Sequence, residues 1–127
     1  MVRMTDDQVE EWRAQVQAEW GLFTAAEAAR RAGSRGHSPT AAVRQWVKTR
    51  KVFPLRTASG LEVYAGFCFG PDGRPLPIVG EVVKAMADRL SGWELAGWWL
   101  TPNSTLGGRR PVDALDQPDE LRAAVGR

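Results

Sequence analysis

The 127-residue chain has few of the side chains that most catalytic and metal chemistry requires. It has one cysteine, Cys68, and one histidine, His37. A single cysteine excludes an internal disulfide and a cysteine-held zinc, and it agrees with a reducing cytoplasm. His37 stands alone in the turn-like stretch "SRGHSP", so it suits a surface or DNA-backbone contact better than a metal ligand. No apolar run approaches the ~18 residues that span a membrane. The N-terminus, "MVRMTDDQVEEW", carries no apolar signal segment, so export is not expected. No repeat or low-complexity tract breaks up the chain. Nothing in it reads as an enzyme: no nucleophile stands beside a base, no carboxylates pair as acid and base, and no cofactor loop is recognisable. The "GGRRP" stretch at 107–111 lacks the Lys-Ser/Thr of a phosphate loop. Cys68, between two phenylalanines, reads as a small buried hydrophobe.

Acidic residues are also missing from one long stretch. Residues 28–61 hold eight basic side chains and no acidic one, a net charge of +8. Residues 1–27 net −4 and residues 62–127 net −2, so the overall +2 conceals a strongly basic block. Local charge of this kind acts over about a Debye length, ~8 Å at physiological salt.

Helix signals flank and enter that block. Thr5 with Gln8 reads as a capping box ahead of Val9, Trp12, Val16 and Trp20 at helical spacing, and Gly21 ends that helix. Thr24 with Glu27 caps a second helix, stopped by Gly33. Ser38 with Pro39 at the first position opens a third, whose apolar face is Val43, Trp46 and Val47. The runs 52–55 and 61–64 flank the turn-like "TASG" and read as a hairpin. "GPDGRPLP", residues 70–77, is a turn or linker. A helix from about Pro77 to Leu90 carries an apolar stripe of Ile78, Val79, Val82, Val83, Met86 and Leu90. Ser91 with Glu94 opens a tryptophan-rich helix, and "PVDAL" and "PDELRAAV" read as two final helical turns.

Two short helices, a turn and a hairpin form the order of a helix-turn-helix with a wing. The candidate DNA contacts are Arg30, Arg31, Arg35, Arg44, Lys48, Arg50 and Lys51, with Arg56 on the hairpin. Cations so arranged meet phosphates and release counterions. The alternative is a solvated helix face.

The tryptophan helix holds three of the six tryptophans, Trp93, Trp98 and Trp99. Helical spacing places Trp98 and Leu95 at about 140° and 200° from Trp93. Trp93, Trp99 and Leu100 are therefore expected to pack inward, against Ile78, Val82, Val83 and Met86. Trp98 and Leu95 are expected to reach another surface, made by a partner or a second copy of the chain. Trp and Arg are the residues that anchor interfaces, and Arg109 and Arg110 follow closely, although Asp113 is an equally good partner for either.

The stretch "GWELAGWWLTPNSTLGGRRPVDAL" resembles the toxin-binding domain of the Xre/MbcA/ParS antitoxin family. Trp98, Pro102, Asn103, Leu106, Gly107, Gly108, Arg110, Pro111 and Leu115 match its pattern. The similarity reaches back to about residue 52, through "DGRP" and a segment that reads Tyr-Pro-Ala-Phe-Gln-Phe in the family and Tyr64-Ala65-Gly66-Phe67-Cys68-Phe69 here. The resemblance implies a mainly α protein: a helix-turn-helix-like unit with a wing-like hairpin at 1–66, then a small helical toxin-binding domain at 67–127. It implies a type II antitoxin that neutralises a RES-type, NAD-consuming toxin and binds its own operator DNA. Candidate toxin contacts are Leu95, Trp98, Trp99, Leu106, Arg109 and Arg110, and the tail resembles a segment laid at the toxin's active-site mouth. No catalytic, cofactor or metal residues are expected. A homodimer or a toxin–antitoxin hetero-oligomer, in the cytoplasm, is the expected assembly. Two other readings stay open: a stand-alone winged DNA-binding regulator whose tryptophan unit dimerises it, and a protein–protein adaptor.

Overall fold

The computed structural model describes residues 5–33, 38 and 40–126. Among them the chain runs α1 (Asp6–Glu19), β1 (Leu22–Thr24), α2 (Ala25–Arg31), α3 (Ala41–Lys48), β2 (Leu55–Arg56), β3 (Glu62–Ala65), α4 (Pro77–Met86), α5 (Gly92–Leu100) and α6 (Pro118–Val125). Short 3-10 turns stand at Gly66–Cys68, Ser104–Leu106 and Pro111–Ala114. The fold is mainly helical with a small antiparallel sheet.

The helix starts follow their caps. Thr5 Oγ1 accepts from the Gln8 amide at 3.1 Å, with Asp6 and Asp7 placed against the positive end of α1. Thr24 and Glu27 form a complete reciprocal box at the start of α2. Two expected caps differ. Helix α3 starts at Ala41 behind Thr40, and the Ser38 carbonyl accepts from the Ala41 amide at 2.9 Å; Pro39 lies outside the described residues. Ser91 is the N-cap of α5, but its side chain makes no cap bond. Helix α4 ends at Met86, not Leu90, and the Arg89 amide turns back onto the Met86 carbonyl at 2.9 Å in a tighter, 3-10-type bond.

The sheet has the order β1-β3-β2. The hairpin register sets Leu55 opposite Val63 and Arg56 opposite Glu62. The third strand, β1, is new relative to the sequence reading. It pairs Leu22, Phe23 and Thr24 with Ala65, Tyr64 and Val63, so β3 is the central strand.

One hydrophobic core runs through the whole described chain, from Val16 to Ala124. Phe67 is its aromatic hub: Trp20 lies edge-on at 5.3 Å, Trp99 at 5.7 Å and Phe53 at 6.3 Å. Residues from both sides of the expected 66/67 boundary therefore share one buried cluster. Close packing of α1 on α5 depends on Gly97: a Cβ there would sit 2.5 Å from Trp12 Cζ2, far inside van der Waals contact. The indole of Trp12 lies where any larger residue would place its side chain.

Candidate nucleic-acid interface

Helix α1, strand β1, helices α2 and α3 and the β2–β3 hairpin follow one another in the order of a winged helix-turn-helix. Helix α2 packs on α3, and β1 joins the hairpin so that the wing is part of a three-stranded sheet and does not hang free. Helix α3 buries Val43 and half-buries Trp46 and Val47, as its apolar spacing predicts. Trp46 packs against Phe69 at 6.0 Å. Its exposed side is Ala41, Arg44, Gln45 and Lys48, a single stripe at i, i+3, i+4 and i+7.

Arg30, Arg31, Arg44, Lys48, Arg50 and Lys51 are all exposed; Arg35 and His37 lie outside the described residues. Among the described residues none of these six cations pairs with a carboxylate. Arg44 instead donates to Thr40 Oγ1 at 3.1 Å, and the Arg31 guanidinium lies 4.3 Å over the Phe23 ring. The contrast with the C-terminal half is sharp. There Arg109 pairs with Glu120, Arg122 with Glu81 and Asp119, and Arg110 with Glu19 and Asp113. Those bonds hold the Glu19 and Glu81 carboxyls below their ordinary range. Three of the arginines in that half are neutralised by ion pairs, whereas among the described residues the cations on α2, α3 and just past α3 have no carboxylate partner.

Two features of this face escape a reading by charge alone. Gln45 carries no charge, yet it stands between Arg44 and Lys48 on the exposed stripe; an amide there is suited to the paired donor and acceptor of an adenine edge. The i, i+3, i+4 spacing was the signal for it. Arg50 adopts the left-handed conformation, φ 58°, just past α3. The Lys51 amide closes the helix end onto the Trp46 carbonyl at 2.8 Å, a turn that glycine normally occupies.

The wing tip is tightly closed. The Thr57 amide donates to the Leu61 carbonyl at 2.9 Å, and Arg56 Nη1 donates to the Gly60 carbonyl at 3.1 Å. Leu61 stands at this tip, 52% exposed.

No family model matches the chain, and no curated protein matches it. The chain is similar to the structure "NMR structure of Rv2175c", at 22% identity over 85% of this chain and 81% of that one, with a TM-score of 0.67. At that identity the likeness shows the fold.

The tryptophan helix is mostly core. Trp93 is 8% exposed and Trp99 fully buried, as expected, but the main neighbours of α5 are α1, β2 and the Pro111–Ala114 turn and not the expected α4 stripe. Leu95 is not outward as expected but 1% exposed: α1, β2 and the Pro111–Ala114 turn all pack on α5, so more than one of its faces is covered. Burial also removes Trp99 and Leu106 from the candidate contacts, since neither reaches a surface. Trp98 remains half-buried, its ring edge-on to Trp99 at 5.2 Å. Arg109 is exposed but held by Glu120. Arg110 is half-buried, ties α1 to the Pro111–Ala114 turn, and lies 5.4 Å over the Trp20 ring.

Cys68 is fully buried, and burial pushes its thiol well above the ordinary value; it packs as a small hydrophobe. Among the described residues no helix is long and apolar enough to cross a membrane, and no three His, Cys, Asp or Glu side chains cluster for a metal.

Proposed function

We propose that this protein binds duplex DNA, with α3 as the reading helix and the β2–β3 hairpin as the wing, and that it acts as a transcription regulator. One observation carries the reading: among the described residues the cations of α2, α3 and the residues just beyond are exposed and without a carboxylate partner, while arginines elsewhere are largely ion-paired. In a folded protein without a polyanionic partner, neighbouring like charges repel and gain nothing from staying unpaired. Against a phosphate backbone each contributes by counterion release. Arg44 and Gln45 on the exposed stripe are the candidates for reading base edges; Lys48, Arg50 and Lys51 are suited to phosphates. The direct test is a mobility shift with a fragment of the protein's own promoter. The wild type is expected to retard it at low salt, and the Arg44→Ala, Lys48→Ala double variant to bind more weakly. No retardation at low salt would end this reading.

A second reading, a type II antitoxin that neutralises a RES-type toxin, rests on the resemblance of residues 91–115. The half-buried Trp98 favours it, because tryptophan is among the residues most enriched at interface anchors and this one keeps part of its ring accessible. Co-expression with a neighbouring toxin gene tests it: wild type rescues growth, and Trp98→Ala folds but does not. Equal rescue by both would remove Trp98 as the anchor.

A further inference from the structure

The loop Gly70–Pro75 is docked onto the helix-turn-helix, although it belongs in sequence to the second half of the chain. A Cβ on Gly73 would lie 2.5 Å from the Arg31 carbonyl carbon and 2.8 Å from the Ala32 nitrogen. Gly73 is buried and left-handed, φ 79°, so only glycine lets this loop rest on the last peptide of α2. The loop closes on itself: the Gly70 amide donates to the Arg74 carbonyl at 2.9 Å, and the Arg74 amide donates to Asp72 Oδ1 at 2.9 Å. Its base is an antiparallel bridge between Phe69 and Pro75, and Phe69 lies against Trp46 of α3. Both helices of the helix-turn-helix thus fix its position.

Arg74 stands at the exposed side of this loop and, among the described residues, has no carboxylate partner. Asp72 is spent as acceptor to the Arg74 backbone amide, not to its guanidinium. Through Gly73 the loop brings Arg74 next to the end of α2 that carries Arg30 and Arg31. Resting on the DNA-binding reading above, we propose that Gly70–Pro75 is a second backbone-contacting element of the interface, in which Arg74 meets a DNA phosphate alongside Arg30 and Arg31. The occupant is a polyanion because the loop sets a third exposed cation beside a helix end that already carries two, and it is duplex DNA because that helix is part of the helix-turn-helix the reading above assigns to DNA. The alternative role for Arg30 and Arg31, complementing the negative end of α2, does not require Arg74.

The test is the salt dependence of binding to a labelled mixed-sequence duplex of about 20 base pairs, with the full chain. Arg74→Ala is expected to lower the slope of log K against log salt by about 0.9, the loss of one phosphate contact. Arg74→Lys should restore it, and Arg89→Ala, an exposed arginine just past α4, should leave it unchanged. Arg74→Gln replaces Arg74→Ala if the alanine variant melts early. An unaltered slope for Arg74→Ala, with a reduced one for the Arg44→Ala, Lys48→Ala variant, overturns this inference and leaves the DNA-binding reading standing. An equal loss for Arg89→Ala also overturns it, since net charge alone would then explain the effect. Failure of the wild type to bind overturns both.

Discussion

Trp93 Nε1 donates a hydrogen bond to the Arg56 carbonyl at 2.9 Å, across 37 residues of sequence. The tryptophan helix is thereby tied to the wing. Trp93→Phe keeps most of the buried ring but removes the donor. It is expected to cost about 1 kcal/mol and to speed amide exchange in Arg56–Glu62 more than in α4. Trp93→Ala, which also empties the ring's site, should cost roughly 3–5 kcal/mol. Thermal melts and hydrogen exchange check both.

Trp98 and Trp99 are neighbours with different duties. Trp99→Ala is expected to lose roughly 3–5 kcal/mol of stability, because it opens a cavity at the hub of the core. Trp98→Ala should melt several degrees later than Trp99→Ala. Equal melting would make the pair a single core unit.

Gly97→Ala offers a sharper test of packing. Alanine favours a helix over glycine by about 1 kcal/mol, yet here its Cβ would strike the Trp12 ring. Overpacking of this kind typically costs about 1–3 kcal/mol, so the variant should melt below wild type. Pairing it with Trp12→Leu, which frees the space, should recover part of the loss.

Arg50→Gly is expected to separate folding from binding. Glycine enters the left-handed conformation without penalty, whereas a side chain there costs about 1–2 kcal/mol, so the variant should melt no earlier than wild type. Its affinity for DNA should nonetheless fall. Improved stability with unchanged affinity would show that Arg50 makes no contact.

Stability should fall on the acid side. Glu19 is held low by its bonds from Arg110, and Glu81 by those from Arg122. A carboxyl with a depressed folded pKa stabilises above its unfolded value of 4.5 and loses that contribution as pH falls through the lower folded value. The melting temperature should therefore be level near neutrality and decline below pH 4.5, with a shallower decline for Glu19→Gln.

What was legible in the sequence was local. The Thr5 and Thr24 caps, the stripe of α4 and the hairpin around "TASG" each lie within a few residues, where spacing and cap chemistry decide the outcome. Strand β1 was hidden because three residues between Gly21 and the α2 cap carry no pattern; Leu22–Thr24 is a strand only because β3, some forty residues later, offers a free edge. The direction of Leu95 was misjudged for a similar reason. Helical spacing orders the faces of α5, but it does not say which of them α1, β2 and the Pro111–Ala114 turn will cover. Arg110 shows the same limit for charge: Asp113 was visible at i+3, while Glu19, 91 residues away, was not. The basic block was plain from the start, but its carboxylate-free state was settled only by where the acidic residues fold.

Amide chemical-shift mapping on the labelled protein, titrated with a mixed-sequence DNA duplex at about 50 mM salt, tests the central claim most directly. The expected shifts gather at Ala41–Lys51 and Arg56–Leu61, with α4 and α6 unmoved. No shifts, or shifts confined to α5 and α6, would contradict a nucleic-acid interface on this face.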